Sequence, residues 1–153
     1  MRWSNLAAVL VAAVLPGCDG LFTGDAVTRF PLVTNGRGGY SPVRLALGPE
    51  MNPVALNLHA RTSANSAEAG KWNTYRAILS KAGSPVAEQS FHVNNTSTTD
   101  SPTAQTISRT MMVVNVSEVA DYELVIDATG PLAVTLEEAQ LELRKNVRAE
   151  ASK

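Results

Sequence analysis

PVRLALGPEMNPVALNL, residues Pro42 to Leu58, is the stretch that decides the fold class. Val43, Leu45 and Leu47 alternate with Arg44 and Ala46, and Val54, Leu56, Leu58 and Ala60 alternate with Ala55, Asn57 and His59. A period of two puts every second side chain on one face, the pattern of a half-buried strand. Both runs open with Pro-Val, and Gly48-Pro49-Glu50-Met51-Asn52 between them has the length of a hairpin loop. The two runs are therefore expected to pair with each other. Their likeness is shared strand chemistry, because no third copy supports a repeat architecture.

Outward from this stretch the same grammar continues. Upstream, Thr28 to Thr34 reads as a first strand that Pro31 confines to an edge. Asn35 to Gly39 reads as a loop with three glycines free to take positive φ. Downstream, Thr62 to Gly70 is a small polar loop, and Trp72 to Lys81 is a strand with Tyr75, Ala77 and Leu79 on one face. Ala82 to Pro85 turns the chain into a returning strand, Val86 to Val93, and Asn94 to Pro102 is a long polar loop. Gln105 to Val116 is β-branched and apolar, ending in Met111-Met112-Val113-Val114-Asn115-Val116, which fits a strand covered on both faces. Asp121 leads into Tyr122, Leu124, Ile126 and Ala128, another alternating run. This acidic corner with its tyrosine resembles the tyrosine corner of Greek-key sandwiches, where the phenol bonds back to nearby backbone; a half-buried strand tyrosine is the plainer reading. Thr135 to Val147 fits two patterns. Ala139, Leu141 and Leu143 alternate as in a strand, while Leu136, Ala139, Leu143 and Val147 form a helical stripe that Thr135 and Glu138 could cap. A strand is favoured, because a sandwich needs its sheet closed. The expected fold is all-β: one antiparallel sandwich of about seven or eight strands, immunoglobulin-like or jelly-roll.

Composition bounds the rest. The 153 residues suffice for one domain with a real core, and 44% hydrophobic with 18% charged residues is a globular balance. Thirteen basic against fourteen acidic residues leave a net charge of -1, without the basic face that nucleic acid requires. One cysteine, Cys18, excludes an intrachain disulfide, so the core must carry the fold alone and the thiol is available for chemistry.

That cysteine closes the most specific segment of the chain. After Arg2, Leu6 to Leu15 runs LAAVLVAAVL, about ten apolar residues. This is the length of a signal-peptide core, well short of the roughly 20 needed to span a bilayer. Leu15-Pro16-Gly17-Cys18 then resembles the lipobox of bacterial lipoproteins, with Pro16 a departure from the commoner Ala or Ser. The resemblance implies cleavage between Gly17 and Cys18, a diacylglycerol on the thiol and an acyl chain, such as palmitate, on the new amino group. Two or three chains make an anchor stable where one is marginal. Asp19 resembles the signal that retains enteric lipoproteins in the inner membrane, although other bacteria sort differently and the outer membrane is the alternative. The implied organisation is a signal peptide over 1–17, lipidated cysteine and tether over 18–27, a sandwich over 28–147 and a polar tail over 148–153.

Catalytic patterns are missing from the sequence. His59 and His92 are the two imidazoles, both inside expected strands and in no nucleophile or zinc motif. Glu137 and Glu138 are adjacent and would point to opposite faces of a strand. Asp100 and Asp127 have no apparent partner, and no calcium loop occurs. No enzymatic role, metal or cofactor is expected beyond the lipid on Cys18. A sugar platform would draw on Tyr40, Trp72 and Tyr75, but Trp72 and Tyr75 are three apart and face opposite sides of a regular strand. The expectation is a non-enzymatic, lipid-anchored envelope module facing the periplasm and serving a protein partner. The alternative is a module binding glycans or small ligands.

Overall fold

A computed structural model describes residues 22–149. The segment 1–17, Cys18 and Asp19 lie outside the described residues, as does the end of the tail. The described chain forms eight strands: β1 (Phe22–Pro31), β2 (Tyr40–Leu47), β3 (Val54–Thr62), β4 (Trp72–Lys81), β5 (Ser84–Asn94), β6 (Thr106–Val114), β7 (Ala120–Ala128) and β8 (Leu136–Ala149). β1 starts inside the stretch 18–27 read as tether, and β8 runs to Ala149, two residues into the expected tail. Cross-strand pairing of Phe22 with Ala149 and Thr23 with Arg148 accounts for both extensions.

The strands form two antiparallel four-stranded sheets, ordered β1-β8-β3-β6 and β2-β7-β4-β5. β1 pairs with β8, β2 with β7, β3 with β6 and β4 with β5. The chain is thus a long hairpin, four strands out and four back, rolled so that strands alternate between sheets on either side of the β4–β5 turn. This is the jelly-roll arrangement, not the immunoglobulin-like one. The alternating residues of the opening stretch lie in the core: Leu45, Leu47, Val54, Leu56 and Leu58 are at most 1% exposed, packed against Leu79, Leu124, Ile126 and Leu141.

Three expectations are corrected. The two runs of the Pro42–Leu58 stretch do not form a hairpin, for β2 and β3 lie in different sheets. Alternation and a Gly-Pro loop describe a sheet-to-sheet crossing as well as a hairpin. Here Pro49–Met51 forms a 3₁₀ turn, and the Asn52 side chain binds both the N–H (2.9 Å) and the C=O (2.7 Å) of Val116, tying the crossing to the neighbouring loop 115–119. The hairpin with a two-residue loop is β4–β5, where Ala82 (φ 48°) and Gly83 (φ 80°) take the paired positive φ that matches strand twist. Secondly, β6 is an edge strand exposed at Thr106, Ser108, Arg109 and Val113. The pairing steps from Leu56–Met112 to Asn57–Thr110, so Met111 is the extra residue of a bulge, and the bulge turns both methionines inward. Thirdly, of the loop glycines only Gly36 and Gly38 have positive φ. Gly39 serves close approach instead, since a Cβ there would meet Ile126 O at 2.4 Å.

Other expectations hold. Pro31 ends an edge strand. β8 is a strand, its alternation interrupted where the register slips near Glu138 (φ 51°) and Asn146 (φ 54°). The tyrosine corner is formed: Tyr122 Oη donates to Glu118 O at 3.1 Å, with the ring 3% exposed.

Candidate functional site

Antiparallel pairing sorts the connections onto two ends. One end carries the start of β1, the end of β8, the β2–β3 crossing, the Ala82-Gly83 turn and the loop 115–119. The opposite, distal end carries the longer loops 32–39, 63–71, 95–105 and 129–135. Thr62 to Gly70 and Asn94 to Pro102, the two longest loops read from sequence, meet there. Asn95 N–H donates to Lys71 O (2.9 Å) and Gly70 N–H to Asn95 O (2.9 Å).

A cleft of about 330 Å³ opens at this distal end. Tyr40 and Tyr75 lie at its base, loop 34–39 forms one wall, and Glu68 with the segment Leu132 to Leu136 forms the other. Tyr40 begins β2 and Tyr75 stands on β4, so both rings point inward from the same sheet, with centroids 6.4 Å apart. Tyr75 also stacks on Phe91 at 5.5 Å. Burial, and then the neighbouring phenol, push the Tyr40 hydroxyl far above the ordinary phenol range; burial raises Tyr75 too, against hydrogen bonds from Asn73 and Tyr40. Both stay neutral at physiological pH.

The walls are braced. Buried Asn73 uses all four of its hydrogen-bonding positions: Nδ2 donates to Tyr75 Oη (3.0 Å) and Val134 O (2.7 Å), and Oδ1 accepts from the N–H groups of Ala133 (2.8 Å) and Val134 (2.9 Å). Glu68 accepts from Thr135 N–H (2.9 Å), Thr135 Oγ1 (2.7 Å) and Ser63 Oγ (2.8 Å). Burial pushes its carboxyl up, but these bonds outweigh it and hold it below the usual carboxylate range. Asn35 Oδ1 accepts from Arg37 N–H (2.8 Å) and Gly39 N–H (3.2 Å), fixing the remaining wall. A cleft held open by bonds already made needs little ordering on binding.

The structure joins Tyr40 and Tyr75 but leaves Trp72 out. Trp72 faces the other side of β4 and is 58% exposed, in keeping with its offset of three from buried Tyr75. Leu15, Gly17, Cys18 and Asp19 lie outside the described residues.

A second polar cluster, on the outer face of the β1-β8-β3-β6 sheet, was not legible in the sequence. Glu142 is 0% exposed. It accepts from Arg29 Nη2 (2.7 Å) and Nε (3.0 Å), from Arg144 Nε and from Asn57 Nδ2 (3.4 Å). Burial would raise the Glu142 carboxyl, but the arginines carry it down to about 2. His59 Nε2 lies 3.3 Å from Glu142 Oε2 in an orientation that makes no hydrogen bond. A histidine beside a carboxylate invites a catalytic reading. However, this carboxylate is neutralised by two guanidinium groups and is too weak a base to accept a proton near neutrality. Ser108 stands across from His59, yet no hydrogen bond joins them among the described residues. The cluster is an ion-paired brace across β1, β8 and β3. Among the described residues no group of three His, Cys, Asp or Glu side chains could hold a metal ion.

No family model matches the chain, and no curated relative does either. Among solved structures it is similar to a family GH115 4-O-methyl-α-glucuronidase with specificity for decorated arabinogalactans, at 16% identity and a TM-score of 0.37. The match covers 88% of this chain and 19% of that one. A likeness that remote transfers no chemistry.

Proposed function

We propose that this chain is an exported lipoprotein, anchored through acyl chains on Cys18, whose jelly-roll domain is a non-enzymatic interaction module of the cell envelope. The observation that carries the reading is the order of its parts: an apolar run of signal-peptide length, Leu15-Pro16-Gly17-Cys18, and then β1 beginning at Phe22. Anchoring confines the domain to a thin layer and raises its effective concentration toward membrane-bound partners. The recognition surface in this reading is the distal end, where four loops converge. Replacing Cys18 by Ala is expected to abolish acyl labelling and leave an uncut precursor. Labelling of the variant at the wild-type level would defeat the proposal.

The cleft over Tyr40 and Tyr75 favours a second reading, a module for glycans or small neutral envelope molecules. Two neutral phenols, Tyr40 and Tyr75, line its base, which suits a neutral molecule better than an ion. A glycan array probed with the wild type and with Tyr40→Phe distinguishes the two. Retention that the variant loses supports ligand binding; no retention by either leaves the protein-interaction reading.

A further inference from the structure

We infer that the end of the sandwich carrying loop 115–119 rests against the bilayer surface, so that the cleft opens away from it. The inference rests on lipidation of Cys18, and it adds an orientation that lipidation by itself does not dictate. Residues 19 to 21 separate Cys18 from Phe22, four Cα steps in all. Whatever their path, they span at most about 14 Å. β4, by contrast, is ten residues long, roughly 33 Å at the rise of a strand. The leash is less than half the length of the body it holds, so the end bearing Phe22 stays at the headgroups.

Both ends expose apolar side chains, Val33 and Leu132 at the distal end and Val119 at the near one, so the short leash is what sets the orientation. At the near end Val119 projects with 78% of its surface exposed. The charges next to it are partly spent on each other, Lys81 on Glu118. Its connections are short, a two-residue turn and a single 3₁₀ turn. The broad faces are less suited to lie flat. One presents Arg76, Glu88, Glu123 and Asp127 to solvent, and the other carries the Arg29–Glu142–Arg144 brace. Anchoring by a short leash at one end, with Val119 projecting at that same end, therefore favours an upright domain, its cleft about one strand length above the membrane.

Cys18 is the chain's single cysteine, so in the lipidated protein an introduced cysteine is the one free thiol. Val119→Cys and Val33→Cys, the latter 64% exposed in a distal loop, would each be labelled with a fluorophore. The lipidated proteins would be reconstituted into phosphatidylcholine vesicles containing a nitroxide-headgroup lipid. Flotation with the vesicles and the acyl mass of the N-terminal peptide report anchoring separately. The expected result is loss of most fluorescence at position 119 with little loss at 33. Equal quenching, or stronger quenching at 33, in a protein shown to be acylated and vesicle-bound overturns the orientation while sparing the anchor. A protein that carries no acyl mass and does not float removes the anchor, and the orientation with it.

Discussion

Glu142 concentrates the residue-scale energetics. Removing this buried carboxylate takes away the charge-assisted bonds from Arg29 and Arg144, although Arg29 is 40% exposed and keeps contact with water. Glu142→Ala is expected to cost about 1.5–3 kcal/mol in urea unfolding, the range for lost hydrogen bonds to a charged group. The same site gives a pH signature. Its carboxyl sits at about 2 in the fold, below the ~4.3 of an unfolded glutamate. A depressed value stabilises the fold above the unfolded value, and the contribution fades as pH falls from about 4 toward 2. Unfolding measured between pH 2 and 6 should show this loss in the wild type and much less of it in Glu142→Gln; identical slopes would contradict the brace. Tyr122→Phe removes one hydrogen bond to Glu118 O and keeps the ring, so a loss of about 0.5–1.5 kcal/mol is expected. Trp72 lies on an exposed face, and Trp72→Ala should shift stability by no more than roughly 0.5 kcal/mol. That makes it a clean probe of any stacking on that face.

At the scale of elements, the distal cleft depends on how loop 129–135 is held. Asn73 binds Ala133 and Val134 through three backbone groups and supports the Tyr75 hydroxyl. Asn73→Leu keeps the bulk and removes the polarity, so hydrogen exchange at the Ala133 and Val134 amides should accelerate while the β3 amides keep their protection. Unchanged exchange there would mean the loop is fixed by other contacts. Element type was legible because alternating residues of four strands face inward: Leu45 and Leu47, Leu56 and Leu58, Tyr75 and Leu79, Leu141 and Leu143 all reach the core. Pairing was less legible. The Pro42–Leu58 stretch reads as a hairpin because sequence reports burial, and a crossing between sheets buries the same residues. The Met111-Met112 pair likewise looked like two-sided burial, since a bulge leaves no mark of its own in composition. The cleft was half legible. Tyr40 and Tyr75 stood out as aromatics, but their meeting depends on β2 and β4 flanking β7 in one sheet, a relation 35 residues apart in the chain and absent from any local pattern. Glu142, Arg29 and His59 come from three strands, and only the register unites them.

For the whole molecule, the rolled hairpin separates two tasks. One end receives the chain from Cys18, and the other gathers the long loops and the cleft. No helix among the described residues is long and apolar enough to cross a membrane. The jelly roll itself assigns no activity, because function belongs to sites and not to folds. Lipidation of Cys18 is read from the mass of the N-terminal peptide of the mature protein taken from membranes. That peptide is expected to begin at Cys18 and to carry a diacylglycerol and an acyl chain. A peptide that begins elsewhere, or at Cys18 with a bare thiol, would contradict it.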